Sequence, residues 1–299
     1  MMGYLFLAIV LAEGTAKGYY GKKLSAYTQS LENALRISVF RMALCAATGL
    51  LLVAAQGNLH LLRPDAPTIL CALWWAVGNS VCVILWLVCV RGDAYVLVEV
   101  FMTLSVPIAV FGSALIPALH ERVAGKDVAG MLLLVAAAVI MQGYDRQLNR
   151  RKLTWKALAA LAGIPLSSGL ADLAQRFYIK TVSGAEAGVF SFYNFLLSAL
   201  LLALGAAVRR GKGERLTAEE KKKALLYAAM MALLLFANSY FKTRAAALLD
   251  GAVLYPLVQC LSMLLGMGMS AFAFGEKPTR RACIGMAIAI MGVLVINFC

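Results

Sequence analysis

The sequence predicts an all-α polytopic membrane protein, ten transmembrane helices arranged as two inverted five-helix repeats. Three observations predict it. The composition is 62% hydrophobic and 14% charged with a mean hydropathy of +0.80, whereas a soluble domain is charged at about a quarter of its residues. The apolar residues run in ten blocks, each near the roughly 20 residues that span a bilayer as a helix, with no barrel-like alternation. The chain also repeats itself: Leu11-Ala12-Glu13, Lys17 and Tyr19 return 159 positions later as Leu170-Ala171-Asp172, Arg176 and Tyr178.

The first block, residues 2–21, lacks a basic start and carries Glu13 and Lys17 inside it. A signal peptide has a short uncharged core, so this segment is expected to stay in the mature protein. The second block, 33–55, ends at Gly57-Asn58. The third, 67–90, follows Arg63-Pro64-Asp65, and the fourth, 94–117, contains Pro107. The fifth, 127–144, precedes the basic joint Arg150-Arg151-Lys152, after which the sixth, 154–178, begins. The seventh, 186–208, stops before Gly211-Lys212-Gly213, and Lys221-Lys222-Lys223 leads into the eighth, 223–245. The ninth, 251–274, holds Pro256, and the tenth, 281–298, follows Lys277-Pro278-Thr279. Gly and Pro at these joints end helices.

Further matches extend the repeat: Asn79-Ser80 with Asn238-Ser239 and Gly92 with Gly251, then at an offset of 155 Glu121-Arg122 with Glu276-Lys277 and Gly130-Met131 with Gly285-Met286. They divide the chain into 1–147 and 148–299, one five-helix repeat each within one integral membrane domain. Five being odd, the second repeat enters the membrane from the opposite side, and such repeats place a site near the midplane between them.

The net charge of +13 sits mostly in connectors, where Lys and Arg set topology and meet lipid headgroups, so nucleic acid is not an expected partner. Most of these bases fall in the odd-numbered connectors, which reads as cytoplasmic connectors with both termini outside. The seven cysteines lie in apolar blocks without a Cys-x-x-Cys pair, and His60 and His120 sit at connectors. No metal centre, disulfide framework or cofactor is expected. Phosphate-cradling loops and Gly-x-Ser-x-Gly elbows are missing from the sequence, which argues against an enzyme and against ATP-driven transport by this chain alone.

An ionisable group at the centre of a membrane helix costs about 2.5–3.5 kcal/mol on insertion scales, so such groups are functional candidates by default. Spacing of four places Glu13 with Lys17, and Asp172 with Arg176, on one helix face each. They would either line a central cavity, with Glu13 taking a proton or a cationic solute, or hold the two halves in register as ion pairs. Lys17 and Arg176 would equally suit an anionic group. Asn79 and Asn238 lie mid-block, where amides bond across helices or meet solute. Glu99, one turn after Tyr95, is matched by Tyr255-Pro256-x-x-Gln259. Pro107 and Pro256 would free a backbone carbonyl for ligand, gating or a kink. Trp74, Trp75, Tyr178, Tyr193, Tyr240 and Tyr255 could box an organic cation.

Phe274-Gly275-Glu276-Lys277, Gly285 and Gly292-Val293-Leu294, echoed by Glu121, Gly130 and Met131, resemble the closing signature of the EamA-like branch of the drug/metabolite transporter superfamily. The resemblance covers the whole chain and implies ten helices in two inverted repeats, with both termini cytoplasmic. Orientation therefore stays open. Ala8-Ile9-Val10-Leu11-Ala12-Glu13 is similar to the first helix of the small multidrug resistance proteins, which implies a carboxylate at Glu13 that exchanges protons for a cationic substrate. The family's cavity is lined by the first, third and fourth helices of each half. That favours Trp74, Trp75, Glu99, Tyr178, Tyr240 and Tyr255 as lining groups. The expectation is a secondary transporter in the cell membrane, moving a small cationic or zwitterionic metabolite or drug by alternating access. Protons on Glu13 would couple it, lipid would surround it, and a monomer or homodimer would carry it. The rival expectation is a non-transporting scaffold or lipid-handling protein.

Overall fold

The computed structural model describes residues 2–28, 30–63, 65–90, 101–102, 104–120, 123–148, 155–208, 216–275 and 280–298. Gly92, Glu99, Glu121, Arg122, Glu276 and Lys277 lie outside them. Ten α-helices and two short 3-10 turns make up the described chain, without strands. They are α1 (Met2–Ser25), α2 (Leu31–Ala55), α3 (Ala66–Val90), α4 (Ser105–Leu115), α5 (Gly125–Leu148), α6 (Trp155–Thr181), α7 (Ala187–Val208), α8 (Ala218–Leu248), α9 (Gly251–Phe274) and α10 (Arg280–Phe298). Each falls on one of the ten apolar blocks.

Local chemistry starts these helices where the sequence allows. Ser30 caps α2 by accepting from the Asn33 backbone N–H at 3.1 Å. Asp65 does the same for α3 through Thr68 N–H at 3.1 Å, and Thr217 with Glu220 forms a reciprocal capping box on α8. Pro107 falls in the first turn of α4, where no intrahelical bond is lost. The helix-interior prolines are Pro165 in α6 and Pro256 in α9. Each removes the donor for the carbonyl four residues back, Leu161 and Ala252.

Among the described residues, five helices are long and apolar enough to cross a membrane: α2, α3, α7, α8 and α9. The others keep charges or, like α4, are short in the described chain. Large apolar side chains face outward on helix after helix, among them Leu51, Leu70, Leu132, Leu204 and Phe272. So much exposed apolar surface on a chain this size is a lipid-facing coat.

The helices pack chiefly as α1 on α8, α2 on α7, α3 on α6 and α5 on α10, with α4 against α6 and α1 against α9. Small residues permit close approach. A Cβ on Gly292 would sit 2.8 Å from the Gly130 carbonyl oxygen, which joins α10 to α5, and one on Gly78 would sit 2.8 Å from the Ser167 carbonyl oxygen across α3 and α6. Two apolar clusters result. One joins α1, α4, α5, α8, α9 and α10 around Val10, Val110, Leu134 and Tyr255. The other joins α2, α3, α6, α7 and α8 around Met42, Trp75, Phe195 and Phe236.

Candidate functional site

Between the two clusters lies a cavity of about 230 Å³. Its walls come from α1, α2, α3, α6, α8 and α9, and it touches Val258 of the first cluster and Trp75 and Ala171 of the second. Glycines of α1 open one wall: a Cβ on Gly14 would find its nearest neighbours, Asn238 Nδ2 and Ser262 Oγ, at 3.7 Å.

Six of the expected residues meet here: Lys17, Trp75, Asn79, Asp172, Asn238 and Gln259 line this one cavity. Asp172 does not depend on the Arg176 one turn away. Its Oδ1 accepts from Lys242 Nζ of α8 at 2.6 Å, both side chains mostly buried. Tyr255 closes the arrangement from α9. Its hydroxyl donates to the Asp172 backbone oxygen at 3.0 Å, and Lys242 Nζ stands 5.5 Å from its ring centroid. Asp172, Lys242 and Tyr255 thus tie three helices of the second half together beside the cavity. Glu13 precedes Gly14 on α1 but is not among the residues that line the cavity; its Oε2 is buried and without a hydrogen-bond partner. Such an orphaned acceptor is rare in a folded protein.

The polar lining is partly held by the scaffold. Asn238 Nδ2 donates to the Val10 carbonyl of α1 at 2.8 Å. Asn79 Nδ2 lies 3.5 Å from Ser198 Oγ of α7. Gln175 donates to the Ser239 carbonyl at 3.0 Å and to the Thr243 hydroxyl. These bonds fix each amide's orientation and leave α1, α6 and α8 in register around the cavity.

The remaining expected residues lie elsewhere. Arg176, 1% exposed, donates to the Ala246 and Leu249 carbonyls at 3.1 and 3.0 Å, where α8 ends. Lys180 reaches the Ala247 carbonyl at 3.3 Å. Cations at a helix C-terminus satisfy its orphan carbonyls and its dipole. Arg176→Met strands these acceptors and is expected to cost about 1–3 kcal/mol, read as a lower thermal midpoint in detergent. Tyr178 is stacked on Phe190 and bonded to the Glu186 backbone on both sides of its hydroxyl. Tyr240 packs against Phe236 and accepts from Gln56 at 3.4 Å, Trp74 leans on Phe177, and Tyr193 donates to the Leu62 carbonyl at 2.7 Å. Of the six aromatics, only Trp75 is in the cavity wall.

Sequence reasoning passed over two cavity cations, Lys242 and Arg41. Lys242 has no echo in the first half: its counterpart 159 positions earlier is Val83, which lines the same cavity. The available signal was simply a base inside an apolar block. Arg41 gives the same signal, mid-way along α2.

Comparison with known proteins gives three findings. The model of the EamA-like transporter family matches residues 154–298. No curated protein matches the chain. Among 28 matching chains of solved structures, a crystal structure described only as that of a protein superposes with a TM-score of 0.71. It covers 99% of this chain and 96% of its own at 15% identity, a likeness of fold.

Proposed function

We propose that the protein is a secondary transporter that moves a small organic metabolite or drug across the cell membrane, a reading supported by the match of residues 154–298 to the model of the EamA-like transporter family. The observation that carries the reading is the cavity. Its wall sets Lys17, Arg41, Asp172, Lys242 and amide side chains among apolar ones, it draws on helices of both halves, and a chain with a lipid-facing coat keeps such ionisable groups there at a cost. Secondary transporters bind at such a midplane site between repeats.

Alternating access between residues 1–147 and 148–299 is the proposed mechanism, and the packing supports two equivalent halves. Exchanging each helix for the one five places on converts the α1–α8 contact into α6–α3, α4–α6 into α9–α1, and returns α2–α7 and α5–α10 to themselves. Buried positions agree as well. Ser38, Arg41, Met42 and Cys45 of α2 correspond at one offset to Ser191, Asn194, Phe195 and Ser198 of α7, and all eight are buried. Glu13, one residue before the cavity-lining Gly14 and with a buried, unsatisfied oxygen, is the proposed proton carrier. Asp172, held by Lys242, is the fixed charge.

Thermal unfolding against a metabolite and drug library tests the reading, with Gly14→Leu as the paired variant. A ligand at about a hundred times its dissociation constant should add about 2.7 kcal/mol to wild-type stability. The Leu side chain projects toward Asn238 and Ser262 from a position whose Cβ is uncrowded, so it should fill the cavity, keep the fold and abolish the shift. A shift preserved in Gly14→Leu would put the binding site elsewhere. A broad library without any hit on the wild type would count against transport.

A further inference from the structure

We infer that the solute carries an oxyanion, a carboxylate or phosphate, and that Arg41 of α2 receives it. The inference rests on the transport reading and names the substrate class of that site. Among the described residues the cavity wall contains three cations, Lys17, Arg41 and Lys242, and one acid, Asp172. Asp172 is already engaged by Lys242 at 2.6 Å. Granting Glu13 to Lys17, one turn along the same helix, still leaves Arg41 unmatched.

Arg41 is 4% exposed, opens onto the cavity, and its Nε is buried without a hydrogen-bond partner. A guanidinium cannot escape this by losing its proton, because it stays charged throughout the accessible pH range. Its remaining route to compensation is an acceptor that arrives with the ligand. The planar fork of donors fits carboxylate and phosphate oxygens two at a time, so the geometry favours an oxyanion over a halide or a neutral carbonyl. A zwitterion satisfies this requirement through its acidic end. A purely cationic drug does not.

Cys82 lines the same cavity and reports its potential in the native protein. The experiment compares thiosulfonate reagents bearing a sulfonate or a trimethylammonium group, with Cys82 modification read by peptide mass spectrometry and rates normalised to a small free thiol. The sulfonate reagent should react about tenfold faster, the range expected for a cleft lined by one sign of charge. Arg41→Gln should bring the ratio near one, while Arg41→Lys, which keeps the charge, should retain most of it. Millimolar benzoate or glucose 6-phosphate should protect Cys82 in wild type, weakly in Arg41→Lys and not in Arg41→Gln.

Faster reaction with the cationic reagent, a ratio indifferent to Arg41→Gln, or resistance of Cys82 to both reagents would overturn the inference. Protection by phosphatidylglycerol in nanodiscs but by neither soluble anion would overturn it too, by assigning Arg41 to a lipid headgroup. A cation-selective cavity in a protein that still moves solutes defeats the inference and spares the transport reading. An anion-selective cavity in a protein that moves nothing does the reverse.

Discussion

Replacing Lys242 with Met should cost about 3–5 kcal/mol of stability and eliminate transport. The substitution keeps the length of the side chain and removes only the ammonium that stands 2.6 Å from Asp172 Oδ1. With both partners mostly shielded, the carboxylate is left charged in a low-dielectric site. The Tyr255 contact at the Asp172 backbone and beneath Lys242 loosens with it. Adding Asp172→Asn to Lys242→Met should recover most of the thermal midpoint, because a neutral pair of similar volume replaces the broken ion pair. Transport should not return, since the cavity has lost both charges. The measurements are thermal unfolding and solute uptake for the two single variants and the double. A Lys242→Met protein as stable as wild type would show that the pair is not what holds α6, α8 and α9 together.

Glu13→Gln should leave the fold intact and flatten the dependence of transport on pH. Its Oε2 makes no hydrogen bond, so the near-isosteric amide strands no partner and stability should move by less than about 1 kcal/mol. If a proton on Glu13 drives one leg of the cycle, the variant should still exchange solute across the membrane but no longer concentrate it against a pH gradient. Exchange and gradient-driven uptake are separable in vesicles. Undiminished gradient-driven uptake by Glu13→Gln would move the coupling to another group or to no group.

The scaffold was readable and the wiring of the site was only half so. Ten helices follow from block length because lipid satisfies no backbone polar group, which makes every spanning segment a helix. The acids Glu13 and Asp172 stood out for a similar reason: a charge in an apolar block is costly and therefore visible. Their partners were less visible. Spacing of four along a helix says that Asp172 and Arg176 share a face, yet which neighbouring helix supplies the counter-charge is a tertiary matter. In the structure Lys242, seventy residues on, wins that place, and Arg176 reaches the exposed carbonyls at the end of α8. The repeat helped with Asn79 and Asn238 and concealed Lys242 and Arg41, which have Val83 and Asn194 as their counterparts. Symmetry in the chain points to the shared frame. Asymmetric charges do the chemistry on it.

Aromatic residues were the least legible. Tyr178, Tyr240 and Trp74 have the composition of a cation box, and each is in contact with another ring in the helix packing, Tyr178 with backbone bonds as well. Aromatic side chains bring a large apolar area wherever they lie, so type and position alone do not separate a packing role from a binding one. Trp75 differs from Trp74 by one residue, a turn of about 100° around α3, which brings it to the cavity.

Solute flux through the purified protein tests the central claim most directly. Proteoliposomes carrying wild type, Gly14→Leu or no protein would be given a pooled mixture of organic acids, amino acids, sugar phosphates and amines, with internal contents read by mass spectrometry. The cavity reading predicts that wild-type vesicles take up at least one member saturably, that excess unlabelled solute on the far side accelerates its entry, and that Gly14→Leu vesicles match the empty ones. Equal contents in all three, or uptake by Gly14→Leu at the wild-type rate, would contradict it.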